Sequence, residues 1–538
     1  MATLVAVTAC SSSSGRGTGG AAPVGAVRPM GTGPLSATTR AWWSYTRPAT
    51  FGSVRTSASV AVTDGTRLDC SLVRPARSGA PVAGRFPGLV MEFTPYALAR
   101  STYESEASYF ATRGYDGLIC NVRGTGKSGG TWQHAMSAQD RRDARDLVEW
   151  LAAQSFSNGR IGMFGESYGG QTTYGAAIDQ PPHLLAIAPL QSPASLYDDV
   201  IYPGGIKTTE GGTIDNWPAI GAQLSGKRFT AASEYATNRA HPTFDAYWQQ
   251  RSFAGEYSAI KVPVLAFGGW NDGYFRSGML ANIEGALGRT WAVYGPWPHQ
   301  SPIHFPNCPG LCNSAGLSPG ILLAWFDKWV KNLPGVPIPA QPTFVSYEGP
   351  TGTGAGWRQV TNYRATGTPT EKLALNQDAS LAAVAGTHGS VTFHQPTDPA
   401  SPGGAATFRT APLAQATSIL GHPSLSLRAS LSSTDTNLYV ELLDVAPNGR
   451  STFVNDGFLR ASHRTSKTDP TPVTAGQVTS FVIPIRAQHY RFAAGHRIAV
   501  RISGGAAKTL TPNSAPVDVT VVTGTAGSTL TLPTITGP

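Results

Sequence analysis

Short apolar runs alternate with helical patterns from about residue 41 to residue 195. The runs FPGLVMEF, DGLICNV, GRIGMFG and LLAIAPL have the length and composition of buried strands. Between the second and the third, Ser137 begins a capping-box-like segment, and Leu147, Val148 and Leu151 then recur at helical spacing. Strands that alternate with helices predict a mostly parallel sheet covered on both faces.

This alternation is interrupted from about residue 196 to residue 258, where Tyr, Trp, Thr and Gly are common and no buried strand is evident. The runs VPVLAFGGW and TWAVYGPW resume the strand pattern within 259–345. From 346 to 538, short alternating runs such as NLYVELLDV and HRIAVRIS predict an all-β module, a sandwich or jelly roll. The expected fold is therefore an α/β core in two parts, an insertion between them and a β domain after them.

The N-terminal segment, 1–40, has a different character. Residues 2–9 are apolar and lead to Cys10, after which Ser, Gly, Ala and Thr predominate in what reads as a flexible tether. The run ending at Cys10 resembles a bacterial lipoprotein signal, although it is short and lacks a preceding Lys or Arg. We expect lipidation of Cys10, with anchoring to a membrane through it, and an extracellular or cell-envelope location. The alternative is a disordered tail in the cytoplasm.

Composition narrows the class of protein. Of 538 residues, 41% are hydrophobic and 14% charged, which indicates a globular chain of two or three domains. The net charge of +9 is scattered, so no nucleic-acid partner is expected. Beyond Cys10, the cysteines are Cys70, Cys120, Cys308 and Cys312, an even number. Two alternatives remain open: these cysteines form the disulfides Cys70–Cys120 and Cys308–Cys312, or they are free buried thiols.

The pentapeptide Gly165-Glu166-Ser167-Tyr168-Gly169 has the G-x-S-x-G pattern of a serine nucleophile. It follows the strand-like run RIGMF and precedes small residues that can form a helix. A serine on such a sharp turn projects its hydroxyl, and glycines on either side let the turn form without clashes. In this context the pattern predicts Ser167 as the nucleophile and the Tyr168 N–H as a donor to an oxyanion.

A serine nucleophile also needs a histidine base and an acid that orients it, in the chain order Ser, Asp or Glu, His. Asp272 follows VPVLAFGGW and His299 follows TWAVYGPWP, so both are predicted at the carboxyl ends of strands, where ligands bind. His304 lies further from its strand end. Asp198 and Asp199 are alternative acids, but a solvated loop explains them more simply.

Several segments, in the right order, resemble the cocaine-esterase (CocE/NonD) family of serine hydrolases. They are NVRGTGKSGG, the stretch around Ser167, VPVLAFGGWNDGYF, YGPWPH and the C-terminal LYVELLDVAPNGRSTFVNDGFLRASHR. The family is related to X-Pro dipeptidyl-peptidases and α-amino-acid ester hydrolases, and the likeness extends from about residue 45 to residue 505. The resemblance implies an α/β-hydrolase core, a helical cap over the acyl pocket at about 196–258, and a C-terminal jelly roll.

The resemblance also implies roles for single residues. Ser167, Asp272 and His299 match the family triad. Pro95-Tyr96 matches the family's Pro-Tyr pair, whose phenol donates the second oxyanion hydrogen bond. Tyr96 follows the first core strand, where the oxyanion loop belongs.

Other residues are assigned to the substrate pocket or depart from the family. Trp270 and Tyr274, on either side of the predicted acid, and Trp297, close to the predicted base, are expected to line the pocket. Asn121 stands where the family usually has Asp before Arg-Gly-Thr-Gly, which alters an expected ion pair with Arg123.

Three functions are compatible with these observations. The first is a carboxylesterase, acting on esters or amides, with an apolar or aromatic acyl group. The second is an X-Pro dipeptidyl-peptidase, which needs a carboxylate in the cap to hold the free amino terminus of its substrate. The candidates for this carboxylate are Glu210, Asp215 and Glu234. The third is a non-catalytic surface protein that binds carbohydrate.

No metal or organic cofactor is expected, because the sequence contains neither a metal-ligand spacing nor a dinucleotide-binding motif. A small-molecule ester or peptide is the expected partner.

Overall fold

A computed structural model describes residues 30–226, 228–275, 277–306, 316–350, 356–363, 370–398, 404–506 and 509–535. The strands of the catalytic part are β1 (Gly31–Gly33), β2 (Gly52–Ala61), β3 (Arg67–Arg77), β4 (Ala80–Pro81), β5 (Phe86–Thr94), β6 (Asp116–Asn121), β7 (Ser157–Glu166), β8 (Leu184–Leu190), β9 (Val264–Gly269), β10 (Thr290–Gly295), β11 (Phe344–Glu348) and β12 (Gly356–Thr361). The helices are α1 (Ala37–Trp43), α2 (Arg100–Ala111), α3 (Ala138–Ala152), α4 (Tyr168–Ile178), α5 (Trp217–Leu224), α6 (Ala231–Ala240), α7 (Ala246–Gln249), α8 (Gly278–Gly285) and α9 (Gly320–Trp329).

The catalytic part is built on a twelve-stranded sheet in the order β1-β12-β11-β10-β9-β8-β7-β5-β6-β3-β2, with β4 beside β3. The strands from β6 through β5, β7, β8, β9 and β10 to β11 are parallel, and the outer pairs on both sides are antiparallel. The carboxyl ends of β7, β9 and β10 therefore lie on one edge of the sheet, which is where the predicted active-site residues belong.

Helices cover both faces of this sheet. Helices α3, α4 and α8 contribute buried residues to one apolar cluster, and α1, α2 and α9 contribute to another. Helix α3 begins where the sequence predicts, since the Ser137 hydroxyl accepts a hydrogen bond from the Asp140 N–H, and Leu147, Val148 and Leu151 are buried. An α/β core with helices on both faces is confirmed.

The segment between β8 and β9 is the predicted insertion. It contains the helices α5, α6 and α7 and has its own aromatic interior. The rings of Tyr197 and Tyr202 stack 5.0 Å apart, and Trp248 packs edge-on against both. These aromatic side chains therefore stabilise the insertion itself.

The C-terminal part is all-β, as the sequence predicts. Its strands are β13 (Glu371–Leu375), β14 (Leu381–Ala382), β15 (Gly389–Gln395), β16 (Ala405–Arg409), β17 (Thr417–Gly421), β18 (Ser424–Leu431), β19 (Asn437–Val445), β20 (Ser451–Arg460), β21 (Thr479–Pro484), β22 (Gln488–Phe492), β23 (Arg497–Ser503), β24 (Val517–Thr523), β25 (Thr529–Leu532) and β26 (Thr534–Ile535). They form antiparallel sheets around one apolar core.

Two sequence boundaries differ from the structure. The tether was expected to reach residue 40, but β1 pairs with β12, and α1 begins at Ala37 with the Ser36 hydroxyl as its N-cap. The catalytic part was expected to end at residue 345, but β11 and β12 extend its sheet to Thr361. Strand β12 is half-exposed and only Val360 is buried, so its pattern resembles that of the β domain that follows.

Cys70 and Cys120 form a disulfide between the paired strands β3 and β6. Cys10, Cys308 and Cys312 lie outside the described residues. Across the described part of the chain, none of the helices is long and apolar enough to cross a membrane.

Candidate active site

Ser167 lies between the end of β7 and the start of α4. Its φ of 57° is in the left-handed region, which is uncommon for a residue other than glycine. The two flanking glycines are required here, because a Cβ on Gly165 would come within 2.7 Å of the Gly169 backbone. The Ser167 N–H donates to the Leu190 carbonyl at 2.9 Å, which ties the turn to β8. The hydroxyl is thus presented at the carboxyl edge of the sheet.

Asp272 and His299 reach the same point from the loops after β9 and β10. The Asp272 Oδ2 atom lies 2.7 Å from the His299 Nδ1 atom, and the His299 Nε2 atom lies 3.0 Å from the Ser167 hydroxyl. The other carboxylate oxygen of Asp272 accepts hydrogen bonds from the backbone N–H groups of Tyr274 and Phe275. The structure therefore brings the three predicted residues into one continuous chain of hydrogen bonds.

The surroundings of His299 favour its protonated form. Burial alone lowers the pKa of His299, but the charge and hydrogen bond of Asp272, with a further contribution from the charge of Glu166, raise its pKa above the usual value. The imidazole is also fixed in place, because the rings of Tyr274 and Phe275 lie 4.8 and 4.7 Å from it. His299 is thus suited to take up a proton from Ser167.

Tyr96 and Tyr168, the two residues predicted to supply oxyanion donors, have rings 6.2 Å apart. Burial raises the pKa of the Tyr96 phenol, so that this group remains a neutral donor. Tyr168 is the first residue of α4, where backbone N–H groups have no partner within the helix. Its phenol donates to Asp140 at 2.7 Å, away from Ser167, which leaves its backbone N–H as the group for an oxyanion.

The alternative acids and base do not join this arrangement. Asp199 accepts hydrogen bonds from the N–H groups of Ala194 and Ser195, and Asp198 forms an ion pair with Lys467. His304 is exposed, and its backbone N–H bonds to the Leu317 carbonyl.

Of the three predicted pocket residues, only Tyr274 lies beside the candidate triad. The ring of Trp270 packs against Tyr294 at 4.0 Å, its N–H donates to Ser346, and it lines a separate cavity of about 330 Å³ between the two domains. Trp297 packs on Trp357 in the apolar cluster on the other face of the sheet. None of these ring contacts involves a triad residue, and the assignment of Trp270 and Trp297 to the substrate pocket stays a prediction.

The three cap carboxylates that could hold an ammonium group already have partners. Glu210 pairs with Arg239 at 2.6 Å, and Asp215 pairs with Lys207 at 2.9 Å. Glu234 accepts a hydrogen bond from the Trp132 indole at 2.8 Å and lies 2.5 Å from the His134 ring nitrogen.

Asn121 and Arg123 have different partners in the structure. Arg123 forms its ion pairs with Asp143 and Asp64, at 2.6 and 2.8 Å. Asn121 instead accepts a hydrogen bond from Arg100. The arginine therefore keeps carboxylate partners, although they come from α3 and from the turn before β3.

Sequence reasoning missed three residues that contact the site. Phe275 packs on His299, and Arg486 of the C-terminal domain donates to the Asp272 carbonyl at 3.2 Å. Glu92 accepts a hydrogen bond from the Glu166 N–H. Phe275 could have been considered from its position near Asp272, but the other two contacts span 214 and 74 residues of sequence and leave no local signal. Among the described residues, no group of three or more His, Cys, Asp or Glu side chains could hold a metal ion.

Comparisons with known proteins agree with this geometry. Residues 64–301 match the family described as X-Pro dipeptidyl-peptidase (S15 family), and residues 328–534 match the X-Pro dipeptidyl-peptidase C-terminal non-catalytic domain. The two matches follow one another along the chain, the first over the catalytic part and the second over the C-terminal part. The chain is also 28% identical over 540 residues to cocaine esterase from Rhodococcus sp., covering 84% of this chain and 90% of that esterase. The resemblance to the CocE/NonD hydrolases is therefore confirmed.

Solved structures of an aminopeptidase and of a CocE/NonD family hydrolase have the same fold. An aminopeptidase from a marine sediment Thaumarchaeota archaeon aligns with a TM-score of 0.74 at 20% identity, covering 91% of this chain and 98% of that one. A CocE/NonD family hydrolase from Staphylococcus aureus aligns with a TM-score of 0.72 at 20% identity, covering 89% and 93%. These matches support a serine hydrolase, so the hypothesis of a non-catalytic carbohydrate-binding protein is not retained.

Proposed function

We propose that this S15 hydrolase cleaves carboxylic esters, with Ser167 as nucleophile, His299 as base and Asp272 as the acid that orients the base. The observation that carries the proposal is the chain of hydrogen bonds from Asp272 through His299 to Ser167, with separations of 2.7 and 3.0 Å. Such a chain holds the imidazole in the orientation and tautomer that a base requires.

The first half of the reaction acylates Ser167. As the Ser167 oxygen attacks the ester carbonyl carbon, its proton passes to the His299 Nε2 atom, and the carbonyl electron pair moves onto oxygen. Asp272 stabilises the imidazolium that results. When the carbon–oxygen bond of the alcohol breaks, the leaving oxygen takes the proton from His299, and the acyl group stays on the serine.

The second half hydrolyses the acyl-enzyme. Water gives a proton to His299 and attacks the same carbon, and the returning proton releases Ser167 with the carboxylic acid. In both halves the negative oxygen is stabilised by the Tyr96 phenol and the Tyr168 N–H, which act where charge develops rather than on the ground-state ester.

Ser167→Ala tests the assignment of the nucleophile. The variant should lose p-nitrophenyl ester turnover and labelling by a fluorophosphonate probe, with unchanged thermal unfolding. Asp272→Ala and His299→Ala should be severely impaired as well, with losses that do not add, because the three residues act as a unit. Labelling that persists in Ser167→Ala would place the nucleophile elsewhere.

The preference for esters over X-Pro peptides is also part of the proposal. A peptidase of the dipeptidyl type must hold a substrate ammonium with a carboxylate, since a buried charge without a partner is costly. Glu210, Asp215 and Glu234 are each engaged by a basic or N–H group of the protein. We therefore expect short-chain or aromatic acyl esters to react faster than Gly-Pro-p-nitroanilide.

The test compares kcat/KM for the free and N-acetylated forms of one aminoacyl ester. Similar values support the esterase. A loss of about 100-fold on acetylation corresponds to about 2.7 kcal/mol of ammonium recognition, and the dipeptidyl-peptidase function would then replace the esterase.

We also propose that the protein is exported and anchored through Cys10. The disulfide Cys70–Cys120 supports export, because such bonds persist mainly in oxidising compartments. In a bacterial host that processes lipoproteins, the protein expressed from its natural gene context should partition into membranes, and Cys10→Ser should abolish this. Equal cytosolic recovery of both forms would exclude the anchor.

A further inference from the structure

Glu92 has an unusual backbone conformation next to the nucleophile turn. It lies on β5, its φ is 47°, and it is only 4% exposed. Strand β5 pairs regularly with β6 up to Met91 and resumes only at Thr94, so Glu92 lies in a bulge. Glutamate rarely adopts a left-handed conformation, and such residues cluster where the surrounding structure requires them. The bulge turns the Glu92 side chain toward the end of β7.

The bulge also removes a backbone partner from β7. The pairing of β5 with β7 ends at Met91 and Phe164, so the N–H of Glu166 has no strand acceptor on that side. The Glu92 Oε1 atom takes this role, at 2.9 Å from the Glu166 nitrogen. The next residue, Ser167, is held on the opposite side by Leu190. The two residues at the turn are thus fixed from both neighbouring strands.

The second carboxyl oxygen of Glu92 lies against the start of α4. A Cβ built on Gly169 would come within 2.5 Å of the Glu92 Oε2 atom, so glycine leaves room for this oxygen. The Glu92 carboxyl therefore contacts the chain both before and after Ser167. A shift of this carboxyl would move the turn that presents the nucleophile.

Acidic and phenolic groups surround Glu92. Burial and then the charges of Glu106 and Glu166 raise the pKa of Glu92, and burial with the charge of Glu166 raises the pKa of Glu106 to about 8. The phenols of Tyr96 and Tyr103 also face this carboxyl, and Glu166 in turn faces His299 and Asp272. The buried Glu106 Oε2 atom has no hydrogen-bond partner among the described residues. An ionised Glu92 would thus add a negative charge close to the oxyanion donors.

We propose that Glu92 is a positioning residue for the nucleophile turn and that it acts in its neutral, protonated form. Its carbonyl oxygen accepts the Glu166 N–H, and its neutrality keeps negative charge away from the site where an oxyanion forms. The proposal rests on Ser167 being the nucleophile, as proposed above.

Glu92→Gln and Glu92→Met separate shape from hydrogen bonding. Glutamine keeps the size, the neutrality and an acceptor oxygen, whereas methionine keeps the size and removes the acceptor. In the full-length protein, Glu92→Gln should react with a fluorophosphonate probe at close to the wild-type rate. Glu92→Met should react about tenfold or more slowly, with a lower kcat and an unchanged KM for p-nitrophenyl acetate, because displacement of a reacting group costs rate rather than binding.

The matched control is Glu104→Gln, on the same helix as Glu106. Glu104 pairs with Arg55 and Ser71, so its labelling rate should equal that of wild type. A wild-type rate in Glu92→Met would overturn the positioning role, and a slow Glu92→Gln would overturn the neutral form. If Glu92→Met does not fold, Glu92→Asp replaces it, since aspartate withdraws the carboxyl from the Glu166 N–H. A wild-type rate for Glu92→Asp then overturns the proposal.

Failure of this proposal is distinguishable from failure of the proposed function. Mass spectrometry of the labelled wild-type protein identifies the modified residue independently of Glu92. A label on a residue other than Ser167 would refute the triad and with it the basis for Glu92. A label on Ser167, with equal rates in all variants, would refute only the role of Glu92.

Discussion

Tyr96 can stabilise an oxyanion only while its phenol keeps its proton. Burial raises the pKa of this phenol, and its ring packs edge-on against Tyr168, the residue that follows Ser167. Tyr96→Phe removes one donor and keeps the ring, so we expect kcat to fall on the order of 10²–10³-fold with little change in KM. Steady-state kinetics with p-nitrophenyl acetate provide the measurement.

Tyr109→Phe is the matched control for this change. Tyr109 lies on α2, where its ring packs against Phe110 and Phe305 in the apolar cluster on the far face of the sheet. Loss of the Tyr109 hydroxyl should leave kcat unchanged. A wild-type kcat in Tyr96→Phe would assign the second oxyanion donor to another group.

The pH dependence of activity should reflect the environment of His299. Only the neutral imidazole can take the proton from Ser167, so a raised pKa moves the acid limb of kcat/KM to a pH above the ordinary histidine value of about 6.5. Asp272→Asn removes the charge that raises the pKa. This variant should lose rate on the order of 10⁴-fold, and its residual activity should have an acid limb at lower pH.

A pH–rate profile of each protein measures both effects. An acid limb in the wild type below that of Asp272→Asn would contradict the sign of the interaction. Burial is common to both proteins, so this result would mean that Asp272 does not act on His299 as a carboxylate anion.

Local sequence patterns predicted the elements that are buried on both faces. Strands β5 to β10 coincide with the apolar runs, because a central parallel strand is apolar at nearly every position. The same strands fixed the placement of Ser167, Asp272 and His299, since each follows a strand end. Strand β12 was missed because it is half-exposed and only Val360 is buried, which leaves little apolar pattern. The contacts of the Trp270 and Trp297 rings could not be predicted, because loop conformation, rather than spacing, determines them.

At the scale of elements, Glu234 connects the cap to the catalytic part. It is buried on α6, and it accepts the indole N–H of Trp132, whose ring stacks on Phe229 at 4.7 Å and lies 5.7 Å from that of Tyr168. Glu234→Ala leaves this N–H buried without an acceptor, which costs on the order of 1–3 kcal/mol. We expect a lower melting temperature and a higher KM for aromatic acyl esters, measured by calorimetry and steady-state kinetics.

Glu210→Gln tests whether this effect is specific. Glu210 is also a cap carboxylate, but it pairs with the exposed Arg239, and exposed ion pairs contribute little. Its melting temperature and KM should match those of wild type. Equal behaviour of the two variants would show that Glu234 does not hold the cap in place.

At the scale of the whole molecule, the C-terminal domain reaches the loop of the proposed triad acid. The Arg486 side chain is held by Asp456 of its own domain at 2.7 Å and donates to the Asp272 carbonyl at 3.2 Å. A domain that takes no part in the chemistry therefore supports the position of a residue that does. This contact gives a physical reason for the C-terminal domain to accompany the catalytic part, beyond the apolar surface that the two share.

Arg486→Met should reduce kcat/KM roughly tenfold, because a hydrogen bond from a charged group contributes about 1.5–3 kcal/mol and part of this is used to position Asp272. Methionine keeps much of the packing volume. Arg501→Met is the control, since Arg501 pairs with Glu441 inside the C-terminal domain and its loss should leave kcat/KM unchanged. Circular dichroism establishes that both variants are folded. If Arg486→Met were folded and as active as Arg501→Met, the hydrogen bond from Arg486 would not contribute to the position of Asp272.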